Sequence, residues 1–470
     1  MSKQVRLRLL KLGVICGTGL LLLALWPAAT SLYDLTGEEA WEGQTAGIVH
    51  WLNTAVRPQP HLAPDSIVLD PVAGPMGVNT FLQQEVEPQK RERSLDLAYD
   101  AGFRFIRQEF QWEDIEIHGK DDFVDRRNVP EGIDAWQKYD HIVDQAQAAG
   151  IEVIARLSNP PSWSRSEPDE VTGALAPPDD PQDFADFAAA VAERYKGRIH
   201  YYQIWNEPNG NDEWGFQDAD PEAYSELLCL AYDRIKQVDP DALILAGALT
   251  PTLAMDGRNM NDLIYLQRMY NAGAGACFDV MSAQGYGLWS GAADQRLRPT
   301  VINIQHHLLL RDLMVANGDG RKPIWISEMG WNVVPEGMEA RFGRVTEEQQ
   351  AKYTVEAYDR LQEEWPWVQV ANYWFLKRPS DAEKGQSWYY FRLLEPNFTP
   401  LPVYNALVAH NESALPLQKK PGWVSSWQIM RPGLFFAGAA LLFVCLLMLL
   451  APYENGRRRK AVSIARIDPL

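Results

Sequence analysis

Two glutamates stand where an apolar run gives out. Glu207 follows Tyr201-Tyr202-Gln203-Ile204-Trp205-Asn206 and precedes Pro208-Asn209, and Glu328 follows Pro323-Ile324-Trp325-Ile326-Ser327 about 120 residues later. An apolar run of this length reads as a buried strand. Each strand therefore delivers one carboxyl group at its end. A pair of carboxyl groups facing one gap suits cleavage of a glycosidic bond, in which one acid protonates the leaving oxygen and the other carboxylate attacks the anomeric carbon or activates water.

Such a pair must be positioned by a sheet. Short apolar runs recur at Met76–Asn79, Phe103–Arg107, Glu152–Leu157, His200–Trp205, Leu243–Gly247, Val280–Gln284, Pro323–Ser327 and Gln369–Trp374. Segments of helical period separate them, including Trp136–Ala149, Pro181–Lys196, Pro221–Val238, Pro299–Asn317 and Thr346–Glu364, with a last helix near Val403–Ala409. Asp180 before Pro181, Asp220 before Pro221, and Thr346 with Gln349 are helix-start signals, and Gly150, Gly197 and Gly318 are stops. Strand and helix in alternation predict a parallel sheet, and eight such units close into an α/β (β/α)8 barrel. Active sites of that fold lie at the C-terminal strand ends. Those ends are polar here: Arg107-Gln108-Glu109 on the second strand, Asn206-Glu207 on the fourth, Gln284-Gly285-Tyr286 on the sixth, Glu328 on the seventh and Trp374 on the eighth.

With its motifs placed, the chain resembles the (β/α)8 clan of retaining glycoside hydrolases, most closely families 39 and 5. The likeness rests on Trp205-Asn206-Glu207-Pro208-Asn209 and Ile326-Ser327-Glu328-Met329-Gly330, and it extends from about Gly77 to Ala409 through Gly102–Trp112. It implies Glu207 as acid/base and Glu328 as nucleophile. Asn206 would bind the sugar 2-hydroxyl, Arg107 would keep Glu328 ionised, Tyr286 would donate to Glu328, and Trp374 would form the floor under the ring. The clan usually carries a histidine where this chain has Gln284, which can hydrogen-bond but holds no proton, so substrate contacts at that position are expected to differ. Trp163, in the loop Asn159-Pro160-Pro161-Ser162-Trp163, resembles a residue lining the cleft, and Trp112, Trp214, Trp289 and Trp331 lie in loops where some are expected to stack on sugars.

No metal or cofactor is expected. His306 and His307 are adjacent in a helical pattern and point to different faces, and Asp212–Asp220 lacks the spacing of a calcium loop, so it reads as solvated.

The ends of the chain differ from its middle. Lys3, Arg6, Arg8 and Lys11 precede the uncharged run Leu12–Ala29, a signal peptide or signal anchor over 1–30; Pro27 spoils the cleavage site and favours the anchor. Residues 31–70 read as a membrane-proximal stalk, 71–410 as the catalytic domain, 411–432 as a linker, 433–451 as a transmembrane helix and 452–470 as a basic cytoplasmic tail led by Arg457-Arg458-Arg459-Lys460. Positive charge beside each apolar segment places both ends in the cytoplasm and the domain outside it, at the cell membrane. Without the nine basic and two acidic residues of those ends, the net charge of −18 becomes about −25. A surface so acidic excludes nucleic acid and favours a neutral oligo- or polysaccharide. Cys16 and Cys445 fall in the apolar ends, which leaves Cys229 and Cys277 able to form at most one disulfide. The competing expectation is a catalytically degenerate barrel that binds cell-surface polysaccharide or scaffolds a membrane assembly.

Overall fold

Alternate residues of each apolar strand face opposite sides of a sheet, and this chain fills both sides. The computed structural model describes residues 17–19, 36, 39–72, 74–413 and 442. Eight parallel strands form one sheet: β1 (Met76–Thr80), β2 (Phe105–Gln111), β3 (Glu152–Ser158), β4 (Tyr201–Ile204), β5 (Leu243–Ala246), β6 (Met281–Tyr286), β7 (Ile324–Gly330) and β8 (Val368–Tyr373). Their order is β5-β4-β3-β2-β1-β8-β7-β6. The barrel closes between β5 and β6 through the bridges Leu245↔Val280 and Leu249↔Ala283, with Ala246 N–H donating to Val280 O at 3.1 Å. That seam is the thinnest in the ring.

The main helices that follow the strands are α1 (Pro88–Asp100), α2 (Gln137–Ala148), α3 (Pro181–Arg194), α4 (Pro221–Val238), α5 (Asp262–Asn271), α6 (His307–Ala316), α7 (Glu347–Glu364) and α8 (Pro402–Ser413). The anticipated caps are present. Asp180 accepts from Gln182 N–H, Asp220 accepts from the N–H groups of Glu222 and Ala223, and Thr346 and Gln349 close a capping box. Gly150, Gly197 and Gly318 take the left-handed conformation that ends a helix. Two boundaries differ from expectation. The helix expected from Pro299 begins only at His307, because Asn303 and Gln305 turn back to hydrogen-bond the buried Asp294. Strand β2 continues past Arg107 to Gln111, because Gln108, Glu109 and Phe110 keep pairing with β3.

Burial sorts the core into two bodies. Outward-facing strand residues pack under the helices. A smaller plug of Phe105, Ile154, Leu245, Val280, Trp325 and Val370 fills the barrel axis, with Val72 and Tyr201 against it. Trp325 is wholly buried, 5.6 Å from the ring of Phe105 and 4.9 Å from that of Tyr201. Above the plug the inward positions turn polar, with Asn79, Arg107, Gln203, Ser327 and Asn372 buried. Gly77 has no side chain because Asn372 Oδ1 lies 2.1 Å from where its Cβ would sit.

Before β1, a helix spans Trp41–Ala55. The chain then runs along the N-terminal rim of the barrel: His61 N–H donates to Asp312, Arg311 to Leu62 O, and Leu69 N–H to Arg321 O. Cys229 of α4 and Cys277 form a disulfide that spans 48 residues and ties α4 to the segment entering β6, beside the thin seam. Closing a loop of that length restricts the unfolded chain by roughly 4 kcal/mol in the chain-entropy account. The expected membrane segments at 1–30 and 433–451 lie outside the described residues except for 17–19 and 442. Among the described residues, no helix is long and apolar enough to cross a membrane.

The plug supports everything above it, so truncating its largest member should be costly. Trp325→Ala is expected to lower unfolding stability by on the order of 3–5 kcal/mol in urea titrations. A loss under about 1 kcal/mol would show that the barrel axis is not packed as described.

Candidate active site

The polar layer above the plug is organised by one cation. Arg107 follows Phe105 as the next inward residue of β2 and is 3% exposed. Four of its five N–H groups are used. Nε donates to Gln203 Oε1 at 2.6 Å, Nη1 to Asn79 Oδ1 and to Glu328 Oε1, both at 2.9 Å, and Nη2 to Asn206 Oδ1 at 2.7 Å. Residues from strands β1, β2, β4 and β7 thereby meet at one guanidinium. Tyr286, two residues after Gln284 on β6, donates to the other oxygen of Glu328 at 2.7 Å. Burial and the charge of Glu328 hold the Tyr286 phenol well above its ordinary pKa, so it remains a donor.

Both glutamates come from interrupted strands. After Ile204, Trp205 adopts φ +72° and Glu207 φ +38°, a region bulky residues rarely occupy. The Trp205 ring leaves the barrel axis for the outer core beside Phe184 and Trp214, and its Nε1–H donates to Glu213 O at 2.9 Å. Asn206 then turns inward to Arg107. On β7 the pairing with β6 slips by one residue, from Ala283↔Ile326 to Gln284↔Glu328, so that Ser327 is the extra residue of a bulge. The bulge brings Glu328 inward and sends Met329 to the outer core.

Glu207 lies in different surroundings from Glu328. Gln284 Nε2 donates to Glu207 Oε1 at 2.6 Å. Burial pushes the Glu207 carboxyl up to about 8, reinforced by the negative charges of Glu328 and Glu213 and opposed by Gln284 and Arg107. Glu207 therefore holds its proton at neutral pH, while Glu328 is paired with a cation.

The other expected site residues separate into two groups. Trp374 ends β8 at the barrel mouth, half-buried, edge-on to Phe81 at 5.6 Å, with a cis peptide bond to Phe375. Trp163 is half-buried and donates to Glu116 O at 2.7 Å. Trp112 does not reach the cleft. It has no exposed surface, stacks on Phe187 at 5.4 Å and spends its N–H on Glu116, so neither face is open to a sugar. Trp214 and Trp331 are buried for the same reason, packed against neighbouring aromatic rings, whereas Trp289 is 65% exposed. Gln284, expected to touch substrate, lies beside Glu207 and donates to it.

Several participants escaped sequence reasoning. Asn79 and Gln203 orient Arg107, and their signal was available: an amide at an inward position of an otherwise apolar strand. Arg156 of β3 pairs with Glu109 at the barrel mouth; burial, with Arg107 nearby, pushes it down to about 10. Glu213 belongs to the loop after β4, where burial raises its carboxyl against the pull of Arg156, and no sequence pattern marks it. Among the described residues, no group of three or more His, Cys, Asp and Glu side chains is arranged to hold a metal ion.

The raised Glu207 makes a prediction that needs no substrate. Below its ordinary pKa of 4.5, folded and unfolded states both hold the proton; between 4.5 and about 8 only the folded state does. Unfolding is therefore increasingly favoured as pH rises across that window. Glu207→Gln should remove this penalty. Urea midpoints of the two proteins should converge near pH 4.5 and diverge by pH 8, with the variant the more stable; a gap that does not grow with pH would rule out the raised carboxyl.

Solved structures share this architecture. A family 39 glycoside hydrolase from the gut symbiont Bacteroides cellulosilyticus WH2 superposes with a TM-score of 0.54 at 19% identity, over 75% of this chain and 65% of that one. An exo-β-1,4-mannosidase from Opitutaceae bacterium strain TAV5 gives 0.50 at 17% identity, over 75% and 61%, and a glucosidase from Croceicoccus marinus gives 0.52 at 13%, over 73% and 69%. The chain thus spans under two thirds of the length of the first two, and at these identities the likeness is one of fold. No curated protein sequence matches. The profile of the cellulase family, glycosyl hydrolase family 5, matches residues 70–305, half of the chain and the part that carries β1 to β6 with Arg107, Asn206, Glu207, Gln284 and Tyr286. The chain belongs to the cellulase family, glycosyl hydrolase family 5.

Proposed function

We propose that this glycosidase is a retaining enzyme that cleaves a β-linked, neutral glycan by double displacement. One observation carries the reading. The barrel mouth holds two carboxyl groups in opposite environments, Glu207 kept protonated by burial and by its acidic neighbours, and Glu328 bonded to Arg107 and Tyr286. Glu328 attacks the anomeric carbon while Glu207 gives its proton to the departing oxygen, which leaves a glycosyl ester on Glu328. Glu207, now a carboxylate, takes a proton from water; the water oxygen attacks the same carbon and releases Glu328. Asn206, fixed by Arg107, binds the sugar 2-hydroxyl, and Trp374 and Trp163 border the ring.

The domain is proposed to work outside the cytoplasm, tethered to the cell membrane. Its disulfide suits an oxidising compartment, and the basic, apolar ends suit anchoring with both termini inside. The acidic domain surface favours a neutral substrate over an anionic one.

Aryl β-glycosides test the roles. Glu328→Ala should lose activity on every leaving group. Glu207→Ala should lose roughly 10²–10⁴-fold on a poor leaving group such as an alkyl alcohol and far less on dinitrophenol. Equal losses would remove Glu207 from the acid role, and a fully active Glu328→Ala would overturn the assignment. The first product anomer seen by proton NMR should be β; an α anomer would mean inversion. In the unmodified enzyme, kcat/KM should fall as pH rises through about 8, where Glu207 loses its proton.

A further inference from the structure

A third carboxyl group reaches the polar layer, and the mechanism above gives it no task. Glu213 belongs to the loop after β4. Its side chain accepts a hydrogen bond from the side chain of Asn206, and its charge acts on Glu207 and on Arg156. A carboxylate drawn out of water in this way is costly unless a cation and a donor are supplied. Here Arg156 and Asn206 supply them, each opposing the upward push of burial on the Glu213 carboxyl.

The backbone delivers this group to Asn206. Trp205 turns out of the barrel axis, and its Nε1–H donates to Glu213 O at 2.9 Å, so residue 213 is held against the residue that precedes Asn206. The loop is braced on both sides of that bond. Asn211 N–H donates to Asn259 Oδ1 at 3.0 Å, Phe216 N–H donates to Asn211 O at 2.7 Å, Trp214 is buried 5.3 Å from the Trp205 ring, and Gly215 has no room for a Cβ beside Ala176. None of these contacts uses the Glu213 carboxyl group. A neutral residue at that position therefore keeps the loop and loses only what the acid does.

What Asn206 gains is a single orientation. A side-chain amide presents an oxygen on one side and an NH2 group on the other, and the two ends fill nearly the same space. Arg107 Nη2 donates to Asn206 Oδ1 at 2.7 Å, while Glu213 accepts from the amide nitrogen. A reversed amide would set NH2 against the guanidinium and oxygen against the carboxylate, losing two charge-assisted bonds together. The amide nitrogen carries two N–H groups, so the bond to Glu213 leaves the second for a sugar 2-hydroxyl. The same negative charge reinforces the upward push of burial on Glu207.

We propose that Glu213 is a positioning residue, which together with Arg107 fixes the Asn206 amide with its N–H toward the sugar 2-hydroxyl. This rests on the glycosidase reading above. Two measurements on the full-length protein test it. The first compares kcat/KM for a dinitrophenyl β-glucoside, β-xyloside or β-mannoside, whichever is turned over, with kcat/KM for its 2-deoxy analogue. Glu213→Ala should reduce the preference for the 2-hydroxyl about tenfold, the size of one hydrogen bond. Glu213→Gln keeps an acceptor for Asn206 and should retain most of that preference. An unchanged preference in Glu213→Ala, or equal losses in both variants, overturns the positioning role and leaves the glycosidase reading intact. The second measurement needs no substrate. With the charge removed, Glu207 should release its proton at lower pH. The stability gap between the protein and its Glu207→Gln variant, measured in urea at pH 8, should then be smaller in the Glu213→Gln background. A gap of the same size in both backgrounds overturns the placement of Glu213 in the site. Inactivity of the unmodified protein on all three glycosides overturns the glycosidase reading and the sugar contact together.

Discussion

The site depends on a buried guanidinium. Arg107 lies inside the barrel with almost no contact with solvent, where an unpaired charge would be very costly. Its cost is offset by fixed partners: Gln203, Asn79 and Asn206 supply amide oxygens and Glu328 supplies the counter-charge. Because a guanidinium is planar and its N–H directions are fixed, satisfying it sets the positions of all four partners together. Gln203 passes the constraint on by donating to Ser327, and Asn79 by donating to the carbonyls of Ser327 and Tyr373. The polar layer is thus one hydrogen-bonded unit resting on an apolar plug.

A regular barrel would not have produced this arrangement. With strict alternation, Trp325 and Ser327 face the axis and Glu328 faces the helices. The bulge at Ser327 brings Glu328 to the axis as well, beside Ser327. The left-handed turn at Trp205 does the same on β4, placing a tryptophan in the outer core and Asn206 at the axis. Each break is held by packing: Trp205 is clasped by Phe184 and Trp214, and Met329 is buried in the outer core. Local irregularity serves the chemistry and the surrounding core sustains it.

Electrostatic asymmetry between the acids follows from the same geometry. Arg107 bonds Glu328 directly and acts on Glu207 only at a distance, whereas Glu207 receives the neutral Gln284 and the repulsion of two other carboxyl groups. A glutamine in place of the histidine common in the clan keeps a donor on Glu207 without adding a second titrating group. Arg156, paired with Glu109, brings positive charge to the edge of the cleft and restrains Glu213.

Much of this was legible in the chain. Eight apolar runs and the helical segments between them determined the barrel, because burial on both faces of a parallel sheet writes itself as uninterrupted apolar residues. The Asp180, Asp220 and Thr346 caps were readable for a local reason: a cap bonds to residues two or three positions away. Glu207, Glu328, Arg107, Asn206 and Tyr286 could be named because each sits where an apolar run ends. What tertiary structure alone decided was side-chain parity and enclosure. Trp112 and Trp289 look alike in sequence, both tryptophans in loops after strands; one is buried among Trp163, Phe184 and Phe187 and the other is held in solvent by Trp331. Glu213 is tied to the turn after β4 through its carbonyl, which accepts from Trp205, and the pairing of Gln284 with Glu207 depends on the left-handed backbone of that turn. Those outcomes rest on contacts between residues far apart in the chain, which the order of residues does not spell out.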